Sequence, residues 1–418
     1  MRSRIFLTAA LLLVIPVATA LSATDDDADL DARAHAIHER VLTLDSHVDV
    51  LLPTSPAQAH GSGQRSQADL DRLQRGGIDA VALAIAVGPG PRTAEGVAAA
   101  RAEADAKLAA IQIFIKDNSE HVALALSAED VRRIHKQGKI AVIESFLNAR
   151  SLGNNLSGID EFYRAGVRLF GFVHAGNNDF ADSSRPTTEP AQEFHGLSSL
   201  GKQAVARLNK LGVIIDVSQL TPAGVLQAVQ LSKAPVVASH SDVRALVDNA
   251  RNLSDQELDA IKANGGVVQV TPFNIYLVSA PLDFRDKVRA LRTQYGLPPD
   301  FPDRPTGFVD GYESLPGDRQ KAFTGAVAAL YPKASLKDYV DHIDYIVKRI
   351  GIDHVGIGSD FNHGAGIAGF ADESEAPNVT RELVRRGYNE AQIAKIWGGN
   401  FLRVFGRVEV VARQLRKS

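Results

Sequence analysis

The chain has 418 residues, 45% of them hydrophobic and 23% charged, and a formal net charge of −3. That balance is globular, with length enough for a large core, and it carries no electrostatic footprint for nucleic acid or an anionic membrane surface. The absence of cysteine excludes disulfides, a lipidated N-terminal Cys and thiolate metal sites, so any metal must be held by His and carboxylates.

Residues 1–20 read as a secretory signal. Arg2 and Arg4 precede the apolar run "IFLTAALLLVIPV", and "ATA" at Ala18–Ala20 is a small-x-small cleavage site. The run is shorter than the roughly 20 residues a span requires. The expected mature protein is therefore a single domain over 21–418, exported to a periplasm or secreted, with no membrane span after cleavage. "TDDDADLD" reads as a solvated start before the first helix.

Eight apolar, β-favouring runs follow. They are "TLDSHVD" (43–49), "IDAVALAIAV" (78–87), "KIAVIES" (139–145), "VRLFGFVHA" (167–175), "VIIDVSQ" (213–219), "PVVASHS" (235–241), "GGVVQVTPF" (265–273) and "HVGIGSDF" (354–361). Amphipathic helical stretches lie between them, at 96–117, 200–212 and 254–266. The last carries a capping box from Ser254 to Glu257, with Gly265 past its end. Near-continuous apolar strands alternating with helices predict a parallel sheet covered on both faces, and eight such units predict a (β/α)8 TIM barrel. A doubly wound open sheet is the alternative; no G-x-G-x-x-G follows the first strand to support a dinucleotide fold. Residues 274–340 form a long Pro-, Gly- and Asp-rich insertion between strands seven and eight, read as irregular and functional. Terminal helices are expected from "NVTRELVRRGYNEAQIAKIWGGNFLRVF".

In such barrels the chemistry sits at the C-terminal ends of the strands. Those ends carry His47 and Asp49, Glu144, His174, Gln219, His240 and Asp360. His47 and Asp49, two apart on a strand, share a face and suit Zn²⁺ or another borderline cation. Each group alone reads equally well as a satisfied strand-end residue. Together, buried titratable groups converging on one mouth are costly and point to cations or catalysis. His174 suits polarising a carbonyl. Asp360 suits taking a proton from an attacking water and returning it to a leaving amine.

The ordered set "LDSHVDV", Glu144 after "GKIAVI", "FVHAGNND", "LGVIIDVS", "APVVASHS", "RNLSDQELDAIKANGGVVQV" and "DHVGIGSDF" resembles the membrane dipeptidase (renal dipeptidase) family of the amidohydrolase superfamily. The resemblance implies a distorted TIM barrel with two bridged zinc ions. It places His47 and Asp49 on one metal, Glu144 as the bridge and His240 on the second. His174 would meet the scissile carbonyl, Arg251 would pair with a substrate carboxylate, and Asp360 would be the acid/base. It also implies a homodimer. The chain departs from the pattern at Gln219, where the family's second metal takes a His. Three outcomes follow: a site kept by Glu144, His240 and a weak Gln219 contact; one metal only; or substitution by His363, the nearest histidine in sequence. Asn362 is a further departure, where relatives carry an acid.

The expected function is a zinc-dependent dipeptidase acting on a small-molecule dipeptide. The alternatives are a mononuclear deacylase, amidase or lactonase on a small N-acyl acid, and a catalytically impaired periplasmic binding protein.

Overall fold

The computed structural model describes residues 21–52, 66–188, 190–304 and 307–417. The segment read as a signal peptide lies outside them. Helix begins at Leu21 and runs to His38, so the acidic stretch expected to precede the first helix lies within it.

Nine strands form one parallel sheet: β1 (Leu44–Asp49), β2 (Ala80–Ala86), β3 (Val122–Leu124), β4 (Ile140–Leu147), β5 (Val167–Gly171), β6 (Ile214–Asp216), β7 (Val237–Ala238), β8 (Val267–Val270) and β9 (Val355–Ile357). Eight follow the order β1-β2-β4-β5-β6-β7-β8-β9, and β3 pairs only with β4. The path nearly closes into a barrel: Asp360 N–H donates to His47 O (2.9 Å) and Asp49 N–H to Phe361 O (3.0 Å). The eight expected runs are these eight strands; β3, three residues before a Ser127-capped helix, is too short to show a period.

Side chains alternate between the lumen and the helical shell. Leu44, Ala80, Ala82, Ala141, Ile143, Leu169, Ile214, Val237 and Val267 share a buried cluster with Phe401, Phe405 and Val408 of the C-terminal helix Asn400–Leu415. That helix seals the end where the strands begin: Arg403 donates to Gly265 O (2.8 Å) and Asp353 O (2.6 Å), just ahead of β8 and β9. Burying each phenylalanine there stabilises the plug by about 1.5–3 kcal/mol. The opposite end, where the strands finish, stays open to loops. The outward face, with Val81, Leu83, Val142, Phe146, Phe170, Ile215 and Val268, packs against the surrounding helices.

Two irregularities re-aim side chains. Between β1 and β2 the register jumps from Asp45↔Val81 to Val48↔Leu83, so β1 carries one extra residue and His47 and Asp49 both turn inward. Between β4 and β5 the pairing steps from Glu144↔Val167 to Ser145↔Leu169. The three expected helices are present, and the Ser254–Glu257 capping box forms with Gly265 left-handed at φ 80°.

The insertion is more ordered than expected. It carries helices Phe284–Tyr295 and Gly317–Ala328 around a small core of Phe284, Val288, Leu297, Leu315, Phe323 and Val327. Its Arg304 reaches the loop after β5, donating to Pro186 O (2.8 Å).

Candidate metal centre

The end of β1 and the loops that follow β5, β6, β7 and β9 bring His47, Asp49, His174, Gln219, His240, Arg251 and Asp360 to the open end of the barrel, all buried. Five non-glycine residues have positive φ among the described residues, and three of them are here: Gln219 (72°), Asp360 (55°) and Asn362 (68°). Such backbone costs on the order of 1 kcal/mol each and gathers where side chains must be aimed.

His47 Nε2 lies 3.2 Å from Asp49 Oδ1 and 3.9 Å from Asp360 Oδ1. Neither ring nitrogen of His47, nor Asp49 Oδ1, has an aligned hydrogen-bond partner. The His47 ring stacks on His240 at 3.9 Å between centroids. One ligand atom from each of His47, His240 and Asp360 lies within 4.8 Å of the others. Burial opposes a charged His47, but Asp49 and then Asp360 outweigh it and raise its pKa. Burial likewise opposes an ionised Asp49, yet His363 and His47 hold its pKa well below the usual range. Burial pushes Asp360 up, against His363 and His47.

A hydrogen-bonded chain fixes the His240 tautomer. Asp216 accepts from Ser218 N–H (2.9 Å), Ser239 N–H (2.9 Å) and the Ser239 hydroxyl. With its proton committed there, Ser239 Oγ accepts from His240 Nδ1 (2.7 Å). His240 Nε2 therefore carries a lone pair, 3.1 Å from Gln219 Nε2. Gln219 Oε1 accepts from Arg185 Nη2 (2.6 Å), which orients the carboxamide with its NH₂ towards His240. Burial, then the charges of His47 and Arg251, push the His240 pKa well below its ordinary value.

His363 sits on the other side of the mouth. Its Nδ1 is 3.0 Å from Asp49 Oδ2 and its Nε2 is 3.1 Å from His174 Nε2. Asp49, working against burial, raises the His363 pKa; burial and then His363 and Arg185 push His174 well below the usual range. A protonated His363 then donates on both sides, and a neutral His174 accepts at Nε2. This leaves His174 with an Nδ1–H, buried and without a partner among the described residues.

Arg251 is 3% exposed. Its Nη2 donates to His240 O (2.9 Å), its guanidinium lies 5.3 Å from the Tyr276 ring centroid, and Nε and Nη1 have no partner among the described residues. Asn362 ties the end of β1 to the 66–67 segment, donating to Asp49 O (2.9 Å) and accepting from Gln67 N–H (2.8 Å).

One expectation needs correction, and two of the three outcomes left open at Gln219 are not met. Glu144 is not brought to the mouth. It pairs with Leu83 in register, so it faces the helical shell as Leu83 does, and its carboxylate lies against Gly166, where a Cβ would fall 2.3 Å from Oε2. Burial, weakly opposed by Arg168, raises its pKa to about 7. The inward β4 position nearest the mouth is Leu147, paired with Gly171. Gln219 turns its oxygen to Arg185 and its NH₂, not its oxygen, to His240. His363 joins Asp49 and His174 rather than His240.

The donor set fits one cation. Nitrogens on His47 and an oxygen on Asp49 that have no partner among the described residues, the His240 lone pair, which the Gln219 NH₂ faces, and Asp360 converge in a buried space. A second, bridged ion does not fit: its expected bridge is outside the barrel wall and its expected histidine is an engaged carboxamide. Sequence reading missed Arg185, which stands in a loop with no periodic signal; only its place after a barrel strand hinted at a role.

Fold and site together define a (β/α)8 barrel with a histidine–carboxylate mouth of the metallohydrolase kind. The model for membrane dipeptidase, peptidase family M19, matches residues 31–418, and the chain belongs to that family. It is 42% identical to the probable dipeptidase PvdM from Pseudomonas aeruginosa, with a TM-score of 0.81 over 92% of this chain and 100% of that one. A metallo peptidase from Rhodobacter sphaeroides, at 23% identity and a TM-score of 0.67, shares the fold over 88% of this chain and 99% of that one. Dipeptidase tcpJ from Claviceps purpurea is 31% identical over 70% of this chain, and dipeptidase aclJ from Aspergillus oryzae 30% over 70%. The chain spans 57% of the length of each of these fungal relatives.

Proposed function

We propose that this chain hydrolyses the peptide bond of small dipeptides with one divalent cation, of the zinc class, per chain. The carrying observation is the group of buried donor atoms on His47 and Asp49 without partners among the described residues, beside His240 and Asp360, at the same mouth as the unpartnered Nε and Nη1 of Arg251. His47, Asp49 and His240 would hold the cation, and Asp360 stands beside them. A cation bound there supplies Lewis-acid activation of water and of the scissile carbonyl.

The protein's own groups do the rest. Arg251 Nε and Nη1, unpartnered on different edges of the guanidinium, leave it a donor for a free carboxylate, which selects dipeptides over internal peptide bonds. His174 Nδ1–H donates to the carbonyl oxygen as it gains charge. Asp360, its pKa raised by burial, takes the proton of the attacking water and delivers it to the departing amine. His363 and Asp49 hold His174 in the required tautomer.

The test is metal content per chain in the purified protein, with dipeptide hydrolysis assayed on the same sample and N-acyl amino acids run beside it. About one ion with dipeptide turnover is expected. Two ions would refute the single-cation part. Turnover of N-acyl acids alone would move the reading to a deacylase. We further propose export, on the signal pattern at 1–20; no helix among the described residues is long and apolar enough to cross a membrane.

A further inference from the structure

Arg185 takes no part in the scheme above, yet it sits in the same mouth. Its Nη2 is fixed on Gln219 Oε1 (2.6 Å), while its Nε is buried without a partner among the described residues. Its charge acts on His174, His363 and Arg251. Neither Arg185 nor Arg251 forms an ion pair with a carboxylate among the described residues. Two neighbouring guanidinium groups, mutually repelling and partly stripped of water, are costly unless an anion arrives to meet them. One carboxylate satisfies one fork, and Arg251 already claims it.

The ground around Arg185 is built to hold it. Ser184 N–H donates to Gln219 O (2.8 Å), and Ser183 bridges to Leu220, so the Arg185 loop is zipped to the end of β6. The left-handed Gln219 backbone turns its carboxamide back towards that loop. Arg304 of the insertion holds Pro186 O from the far side. A cavity of about 530 Å³ adjoins, lined by Ser184, Pro186, Thr221, Ala250 and Tyr331 among others. Those residues flank both arginines in sequence.

We propose that Arg185, oriented by Gln219, is a second anion anchor, and that the preferred substrates are dipeptides carrying a second carboxylate besides the one held by Arg251. The catalytic part of this inference rests on the dipeptidase reading; the binding part does not. Arg185 is a specificity residue here, since it meets a charge remote from the scissile bond.

The experiment has two arms. In the first, kcat/KM is measured for Glu-Ala against Gln-Ala and for Ala-Glu against Ala-Gln, isosteric pairs that differ in one charge. Wild type is expected to prefer the glutamate member of at least one pair by about tenfold or more, the worth of one charge-assisted hydrogen bond. In Arg185→Met that ratio falls to about one, and Arg185→Lys keeps part of it. No preference in wild type, or a preference that survives Arg185→Met, overturns the proposal. In the second arm, metal-free protein is titrated calorimetrically with glutarate and with its monoamide. Tighter glutarate binding that disappears in Arg185→Met supports the anchor; equal binding of the two overturns it. If wild type hydrolyses none of the peptides, the dipeptidase reading fails and the binding arm still decides the role of Arg185.

Discussion

Removing the Arg251 fork is the most direct test of substrate recognition. Arg251→Met keeps much of the apolar stem, which packs beside Tyr276, and deletes all five N–H groups. Two of the lost donors, Nε and Nη1, are buried and unpartnered among the described residues; they lie on different edges of the guanidinium, so a substrate carboxylate meets one of them. A hydrogen bond to a charged group contributes about 1.5–3 kcal/mol, and one such bond is counted here. At about 1.4 kcal/mol per tenfold, kcat/KM on an unblocked dipeptide should fall by roughly 10–10². The third contact, Nη2 to His240 O (2.9 Å), is lost as well, so part of any loss could come from a displaced β7 end. A C-terminally amidated dipeptide separates the two effects. Wild type should turn it over slowly, and Arg251→Met should slow it little further, because the fork has no carboxylate to hold. The assay is initial-rate hydrolysis of each dipeptide and its amide by both proteins. Equal losses on the acid and the amide would show that Arg251 supports the fold of the mouth instead of reading the substrate, and the recognition argument would fall.

Glu144→Gln is expected to leave metal content and turnover unchanged, which elemental analysis and rate assays would check. It should also stabilise the protein above neutral pH. The carboxyl pKa is raised from 4.5 to about 7 by burial, so the native state binds more protons than the unfolded state between those values. Stability from this group is complete below pH 4.5 and is lost as pH rises through 7. Removing the ionisable group should recover up to about 3 kcal/mol at pH 8 and almost nothing at pH 4, read by urea unfolding at the two pH values. His342 has the opposite sign. Its Nδ1 accepts from Val243 N–H (3.0 Å), and burial lowers its pKa from 6.5 to about 4. The unfolded state then binds more protons between those values, so stability is complete above pH 6.5 and falls by about 3 kcal/mol on the way to pH 4. His342→Gln should show a flatter acid limb than wild type in the same unfolding series; parallel limbs would refute the assignment. Asp360→Asn should abolish turnover while the protein stays folded by circular dichroism, and retained turnover would remove Asp360 from the proton path.

Sequence alone fixed the periodic features. Each barrel strand is a run of β-branched and small apolar residues bounded by capped helices, and that pattern is local, so eight strands and their order were legible without coordinates. The polar groups at the strand ends were legible for the same reason: a His or Asp closing an apolar run has no local use. Whether such a group faces the lumen or the shell is a different matter. It depends on residue parity and on bulges, and a bulge is a pairing event between strands that neither strand encodes alone. The extra residue in β1 turns His47 and Asp49 inward together. The regular pairing of β4 with β2 sends Glu144 outward, although its sequence context looked equally suited to the mouth. Gln219 marked a departure in the sequence, but the meaning of that departure lay 34 residues away, in an arginine with no signature of its own. Tertiary structure decided it, because a hydrogen bond between two loops is set by how the strands beneath them are staggered.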